Sequence, residues 1–165
     1  RIGDDKIMNK KIFVAIIVII VIIIGTKVIF IDKNKNVKID ISKLAAELLD
    51  SQIFEDNLDE IDKETAIKRY GFNSEIIKNI KAYIGTGATS EEILIIELSD
   101  KNGIEEIEKN IEMKIEERKN DFQNYLPQEI FKLENYVLEN KGNYIILCIS
   151  NNYDKAKEVI NIHSN

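Results

Sequence analysis

Thirteen successive apolar residues, Ile12 to Ile24, constrain this chain more than any other feature it has. The stretch from Ile12 to Thr26 holds no charge, and after Lys27 the apolar run resumes through Val28, Ile29, Phe30 and Ile31. Twenty helical residues at about 1.5 Å each cover about 30 Å, the thickness of a bilayer's hydrocarbon layer. A helix packed in a soluble core normally keeps a polar face, and this run supplies none. Lys27 carries an aliphatic stem long enough to bring its ammonium out to the interface. Residues 12–31 are therefore expected to form a transmembrane signal anchor.

A cleaved export signal would end in a small-x-small site, but the chain reads Gly25-Thr26-Lys27 after Ile24, with no Cys nearby to carry a lipid. The anchor is expected to remain. Met8-Asn9-Lys10-Lys11 reads as a translation start with a short basic n-region. Residues 1–11 are thus assigned to the cytoplasmic side, with 1–7 as an upstream extension. Lys10 and Lys11 face Lys27, Lys33, Lys35, Lys38 and Lys43 across the span, so positive charge alone leaves the orientation open. A basic n-region followed at once by an apolar run is the export layout, and it favours a single-pass cell-membrane protein with its main domain outside.

From Asp32 onward the chain has 18 basic and 27 acidic side chains, a net of −9. Phosphate backbones require concentrated Lys and Arg, so no nucleic-acid partner is expected. One Cys excludes an internal disulfide and a cysteine zinc cage, and one His excludes sites built on several imidazoles. No cofactor and no metal are expected.

Residues 32–41 read as a juxtamembrane linker and 42–165 as an extracytoplasmic α+β domain, a small antiparallel sheet packed with helices on one face. Val37, Ile39 and Ile41 alternate with polar residues as an extended segment would. Ser42 opens a helix to about Ser51, and a second helix runs from Lys63 to Tyr70 and stops at Gly71. Residues 76–84 and 92–99 are Ile-rich and bracket a Gly/Thr loop, which predicts an antiparallel pair of strands. Asn102 with Glu105 reads as a capping box for the longest helix, along which Ile104, Ile107, Ile111, Ile115, Phe122 and Leu126 recur. Pro127 starts another helix, with Ile130, Phe131, Leu133, Glu134 and Val137 on its stripe and its end near Gly142. Tyr144 to Ile149 reads as a buried strand, and Ala156, Val159 and Ile160 as one face of a last helix.

The most unusual stretch is Gly85-Thr86-Gly87-Ala88-Thr89-Ser90-Glu91-Glu92. Two glycines and three hydroxyls suit a nest of backbone N–H donors, and Thr89 with Glu92 also fits a capping box, which would make 90–98 a helix. A P-loop needs Lys and Ser/Thr after its last Gly, and a dinucleotide loop needs a third Gly; both are missing. Three readings stay open: a structural turn, a partner or ligand contact, and catalysis. Gly85, Thr86, Gly87, Thr89, Glu91 and Glu92 are the candidate binding residues, with Tyr125 and Glu129 beside Pro127 as a possible surface epitope. Asp56, Asp59, Glu60 and Asp62 lack the spacing and central Gly of a calcium loop, so they read as a solvated acidic face. His163 falls in a last helical turn, where a cation is favourable, and Cys148 lies within an apolar run as an inert thiol. No catalytic residue is assigned.

Tyr70-Gly71, the Gly85 to Thr89 loop with Glu91-Glu92, Arg118-Lys119 with Phe122, Tyr125 with Pro127 and Glu129, Lys132-Leu133-Glu134, and Lys141-Gly142-Asn143-Tyr144 form a set of short motifs along the chain. In them, over about residues 42–163, the sequence resembles the domain of unknown function 4358 family, known from low-GC Gram-positive bacteria. Many relatives look like lipoproteins, and this chain departs from them in lacking the lipid-bearing Cys. The family has no established activity. The resemblance implies a surface accessory protein, and genes of this kind can neighbour those of membrane-bound O-acyltransferases that modify envelope polysaccharides. The chain is accordingly expected to be a membrane-tethered, non-catalytic module that binds an envelope or membrane protein. The rival expectation is an envelope ligand-binding protein or enzyme using Thr86, Thr89, Glu91 and Glu92.

Overall fold

A computed structural model of the chain describes residues 37–163, which belong to one compact unit. The n-region, the anchor over 12–31 and residues 32–36 of the 32–41 linker lie outside the described residues. Among the described residues no helix is long and apolar enough to cross a membrane.

Helix α1 (Ile41–Asp50) begins where the Asp40 carboxylate accepts hydrogen bonds from the Ser42 and Lys43 amides, and it buries Leu44, Ala45 and Leu48. Strand β1 (Asp59–Ile61) leads into helix α2 (Lys63–Tyr70), capped by the Asp62 side chain and ended by Gly71 at φ 66. Strands β2 (Ile77–Ile84) and β3 (Glu92–Leu98) pair antiparallel around the Gly/Thr loop. The predicted strands are therefore present, and the alternative helix over 90–98 is not. Helix α3 (Ile104–Phe122) is the longest among the described residues. It is followed by the 3-10 turn Pro127–Glu129, helix α4 (Ile130–Glu134), strands β4 (Val137–Lys141) and β5 (Tyr144–Ile149), and helix α5 (Tyr153–His163).

The sheet is wholly antiparallel, in the order β1-β2-β3-β5-β4. Its two middle partners, β3 and β5, are buried at every position, which explains their continuous Ile and Leu runs. The expected covering of one face is corrected by this burial: helices cover both. Leu94 and Ile96 pack with Ala66 and Tyr70 of α2, Ile107 and Ile111 of α3, and Leu133 of α4. Ile93, Ile95, Ile146 and Cys148 pack with Leu44 and Leu48 of α1 and Val159 and Ile160 of α5.

Three local expectations fail for physical reasons. Helix α3 starts after Gly103 with no side-chain capping bond, and Asp100 instead caps the preceding 3-10 turn at Lys101–Gly103 by accepting from the Asn102 amide, so the Asn102 capping box does not form. Val137 is not on a helical stripe, because Gly142 at φ 70 turns Lys141 back onto Tyr144 and the segment pairs as a hairpin. The extended reading of 37–41 stops at Asp40, since Ile41 is already helical.

Candidate functional site

Successive strand residues point to opposite faces, so Glu91 and Glu92 at the head of β3 diverge. Both are fully buried. Glu91 accepts from the Glu55 and Asp56 amides at 2.9–3.0 Å and from the Lys132 ammonium at 3.1 Å. Glu92 accepts from the Tyr70 hydroxyl at 2.6 Å and the Arg118 guanidinium at 2.7 Å, with Arg69 at 3.7 Å. Ser90 joins the same knot: its amide and hydroxyl donate to Glu129, and its carbonyl accepts from Arg118. Three consecutive residues thus fasten the strand to α2, to α3, to the turn before α4 and to the segment before β1.

A buried charge is tolerated only when paired and hydrogen-bonded, and the inventory here balances. The carboxylates of Glu91, Glu92 and Glu129 meet the cations of Arg69, Arg118 and Lys132. Burial pushes the Lys132 ammonium toward losing its proton, but its hydrogen bonds to Glu55 and Glu91 outweigh that and hold its pKa above the ordinary lysine value. Burial, reinforced by the Glu92 charge, holds the Tyr70 phenol well above its usual range, so it stays a donor.

The Gly85 to Thr89 loop stands over this knot. Asp56 ties it down, accepting from the Thr86 amide at 2.8 Å, the Thr86 hydroxyl at 2.7 Å and the Thr89 hydroxyl at 3.3 Å. The Thr86 hydroxyl and amide hold the Asp56 carboxyl below the usual carboxylate range. Gly85 is needed for close approach, since a Cβ there would lie 2.7 Å from Thr89 Oγ1 and 2.9 Å from Asp56 Oδ2. Gly87 is needed for its φ of 94. Thr86, Gly87 and Ala88 form the exposed tip. The loop also walls a cavity of about 350 Å³, whose lining includes Arg69 of α2 and Lys114, Arg118, Asp121 and Phe122 of α3.

A family model described as domain of unknown function (DUF4358) matches residues 51–150. The chain belongs to that family. No curated protein and no solved structure matches. The matched span holds the whole sheet and the residues gathered around Glu91 and Glu92, whereas α1 and α5 fall outside it.

Several sequence-based placements change here. Glu91 and Glu92 are interior anchors, not exposed loop groups, and Glu129 is buried against Ser90, not part of a surface epitope. Tyr125 is exposed at the cavity, its ring stacked on Phe122 at 5.5 Å. The acidic stretch is not a solvated face alone: Asp56 holds the loop, Asp62 caps α2 and Glu60 pairs with Lys81. Among the described residues no group of three or more His, Cys, Asp or Glu side chains could hold a metal. His163 meets Glu47 at 2.6 Å, and burial pushes the Cys148 thiol up to about 12. Periodicity did not single out Arg118, Lys132, Tyr70 or Ser90. One signal was present: Arg118 occupies the apolar stripe of Ile107, Ile111, Ile115 and Phe122, where a charge requires a buried counter-ion.

Proposed function

We propose that this DUF4358 chain is a non-catalytic, membrane-tethered extracytoplasmic module that presents the Gly85 to Thr89 loop to a partner in a cell-envelope complex, one linked to envelope polysaccharide O-acylation. The observation that carries the reading is the bracing of that loop. Asp56, Ser90, Glu91, Glu92 and Arg118 beneath it are committed to internal partners, while its tip at Thr86, Gly87 and Ala88 faces solvent. Rigid preorganisation of an exposed tip lowers the ordering cost of association. The enzymatic alternative has less support. The hydroxyls of Thr86 and Thr89 bond to Asp56, whose depressed pKa makes it a weak base, and Glu91 and Glu92 are sealed from any substrate. The apolar run at 12–31 and the acidic character of the rest support tethering and a protein partner in place of an anionic polymer.

Crosslinking in intact membranes tests the proposal. The wild-type chain is expected to give a discrete partner adduct, and Ala88→Arg, a bulky change at the exposed tip, is expected to abolish it with melting unaltered. An undiminished adduct in a folded Ala88→Arg protein would overturn the reading.

A further inference from the structure

The cavity beside the loop is lined by more positive than negative side chains. Arg69, Arg118 and Lys114 meet there, with Asp121 as the lining carboxylate. Arg118 is spent on Glu92 and the Ser90 carbonyl. Arg69 is not: its guanidinium reaches Glu92 only at 3.7 Å, and its Nε is buried without a hydrogen-bond partner. A guanidinium offers an oxyanion two parallel hydrogen bonds, and with Nε shut in, the donors that the 30% exposed Arg69 side chain can turn to a ligand are its terminal nitrogens. Among the described residues Lys114 is held only by Glu117 three residues along the same helix, a water-exposed pair of little strength that a ligand displaces easily. The loop lines the same cavity through Gly85, Thr86, Gly87 and Thr89, and the Gly87 amide has no acceptor among the described residues.

We propose that this cavity binds a singly charged oxyanion, a carboxylate or a phosphodiester, received by Arg69 and Lys114 and by the Gly87 amide. The inference rests on the loop being a contact surface and names the chemistry it contacts. Asp121 sets the charge: it repels a dianion at short range, so a monoanion is preferred. The Phe122 and Tyr125 rings, stacked at 5.5 Å, offer an apolar flank to the remainder of the ligand.

The test is a titration of the full chain in detergent micelles with benzoate, diethyl phosphate and inorganic phosphate, followed by the Arg69 Nε–H and the Gly87 amide signals in NMR. Saturable shifts with benzoate identify a carboxylate site, and saturable shifts with diethyl phosphate a phosphodiester site. Arg69→Gln is expected to weaken either by about tenfold or more, and Lys114→Gln by about threefold, as loss of a charge-assisted bond predicts. Arg69→Lys, which keeps the charge but not the fork, should fall between wild type and Arg69→Gln. If Arg69→Gln does not fold, Lys114→Gln and Arg69→Lys carry the comparison. Absence of saturation with both monoanions, tighter binding of phosphate than of either, or equal affinity in the variants would overturn the proposal. The adduct experiment with Ala88→Arg uses no anion, so the loop can keep its partner role when the anion site fails; loss of both refutes both.

Discussion

Strand β3 carries glutamates at both ends, and the two ends treat them differently. At the head, Glu91 and Glu92 are fully buried and fastened to elements on both faces of the sheet. At the tail, Glu97 sits at the rim and binds Lys78 at 2.6 Å and Asn79 at 2.6 Å, both from the adjacent strand. The residue type is the same, so the difference lies in the surroundings. At the head, α2, α3 and α4 converge and bring cations, of which Arg118 and Lys132 are nearly cut off from solvent. At the tail, a long lysine stem reaches over an open edge. A carboxylate of the first kind fixes where helices stand, whereas one of the second kind decorates a strand pair whose register is already set by Ile and Leu.

The largest effect is expected from breaking the head. Glu92→Gln keeps shape but leaves the Arg118 guanidinium buried without its counter-ion, which costs about 3–5 kcal/mol when one partner of a buried pair is removed. Urea unfolding measures it. A loss below about 1 kcal/mol would mean that water reaches Arg118, and that the two ends differ less than their burial suggests.

Next in size is the loop that the head supports. Gly85→Ala drives a Cβ against Thr89 Oγ1 and Asp56 Oδ2, and overpacking of this degree costs about 1–2 kcal/mol. Gly87→Ala meets no atom within 4 Å but is strained by its φ of 94, and should cost about 1 kcal/mol. The pair separates crowding from backbone strain. Asp56→Asn combined with Gly85→Ala should add less than the sum of the single changes, because both act on one contact.

These sites were unevenly legible in the sequence. Helix α2 could be bounded because its signals are local, Asp62 before it and Gly71 after it. Strand β4 was read as helix because Ile130, Phe131, Leu133 and Val137 mimic a helical stripe, and only the Gly142 turn distinguishes a hairpin. Glu91 and Glu92 read as exposed because charge usually is. Their partners lie 22 to 41 positions away, so nothing near them in the sequence reports the burial. Two-sided covering of the sheet was foreshadowed by Tyr144 to Ile149, a run with no polar alternation, and the same reasoning applied to Ile93 to Ile96 would have predicted it.

The smallest effect is expected at the tail, and pH gives its sign. The hydrogen bond from Lys78 holds the Glu97 carboxyl below the ordinary value of 4.5. The unfolded chain therefore binds the proton first as pH falls, and stability contributed by this pair is complete above pH 4.5 and is lost as pH drops through the lowered value. Glu47, Glu55, Asp56, Glu60 and Asp62 are shifted in the same direction, so the wild-type domain should lose stability steadily in acid. Glu97→Gln removes one contributor among several. At pH 7 it should cost about 1 kcal/mol or less, the range of pairs that remain in contact with water, and it should flatten the acid slope slightly. Melting curves of wild type and Glu97→Gln at pH 7 and at pH 3 measure both quantities. The gap between the two proteins should narrow from pH 7 to pH 3, because protonation does to Glu97 what the substitution does. A gap that stayed constant from pH 7 to pH 3 would assign the contribution of Glu97 to packing or to the Asn79 hydrogen bond in place of charge, and the two ends of β3 would then differ in degree of burial and not in kind.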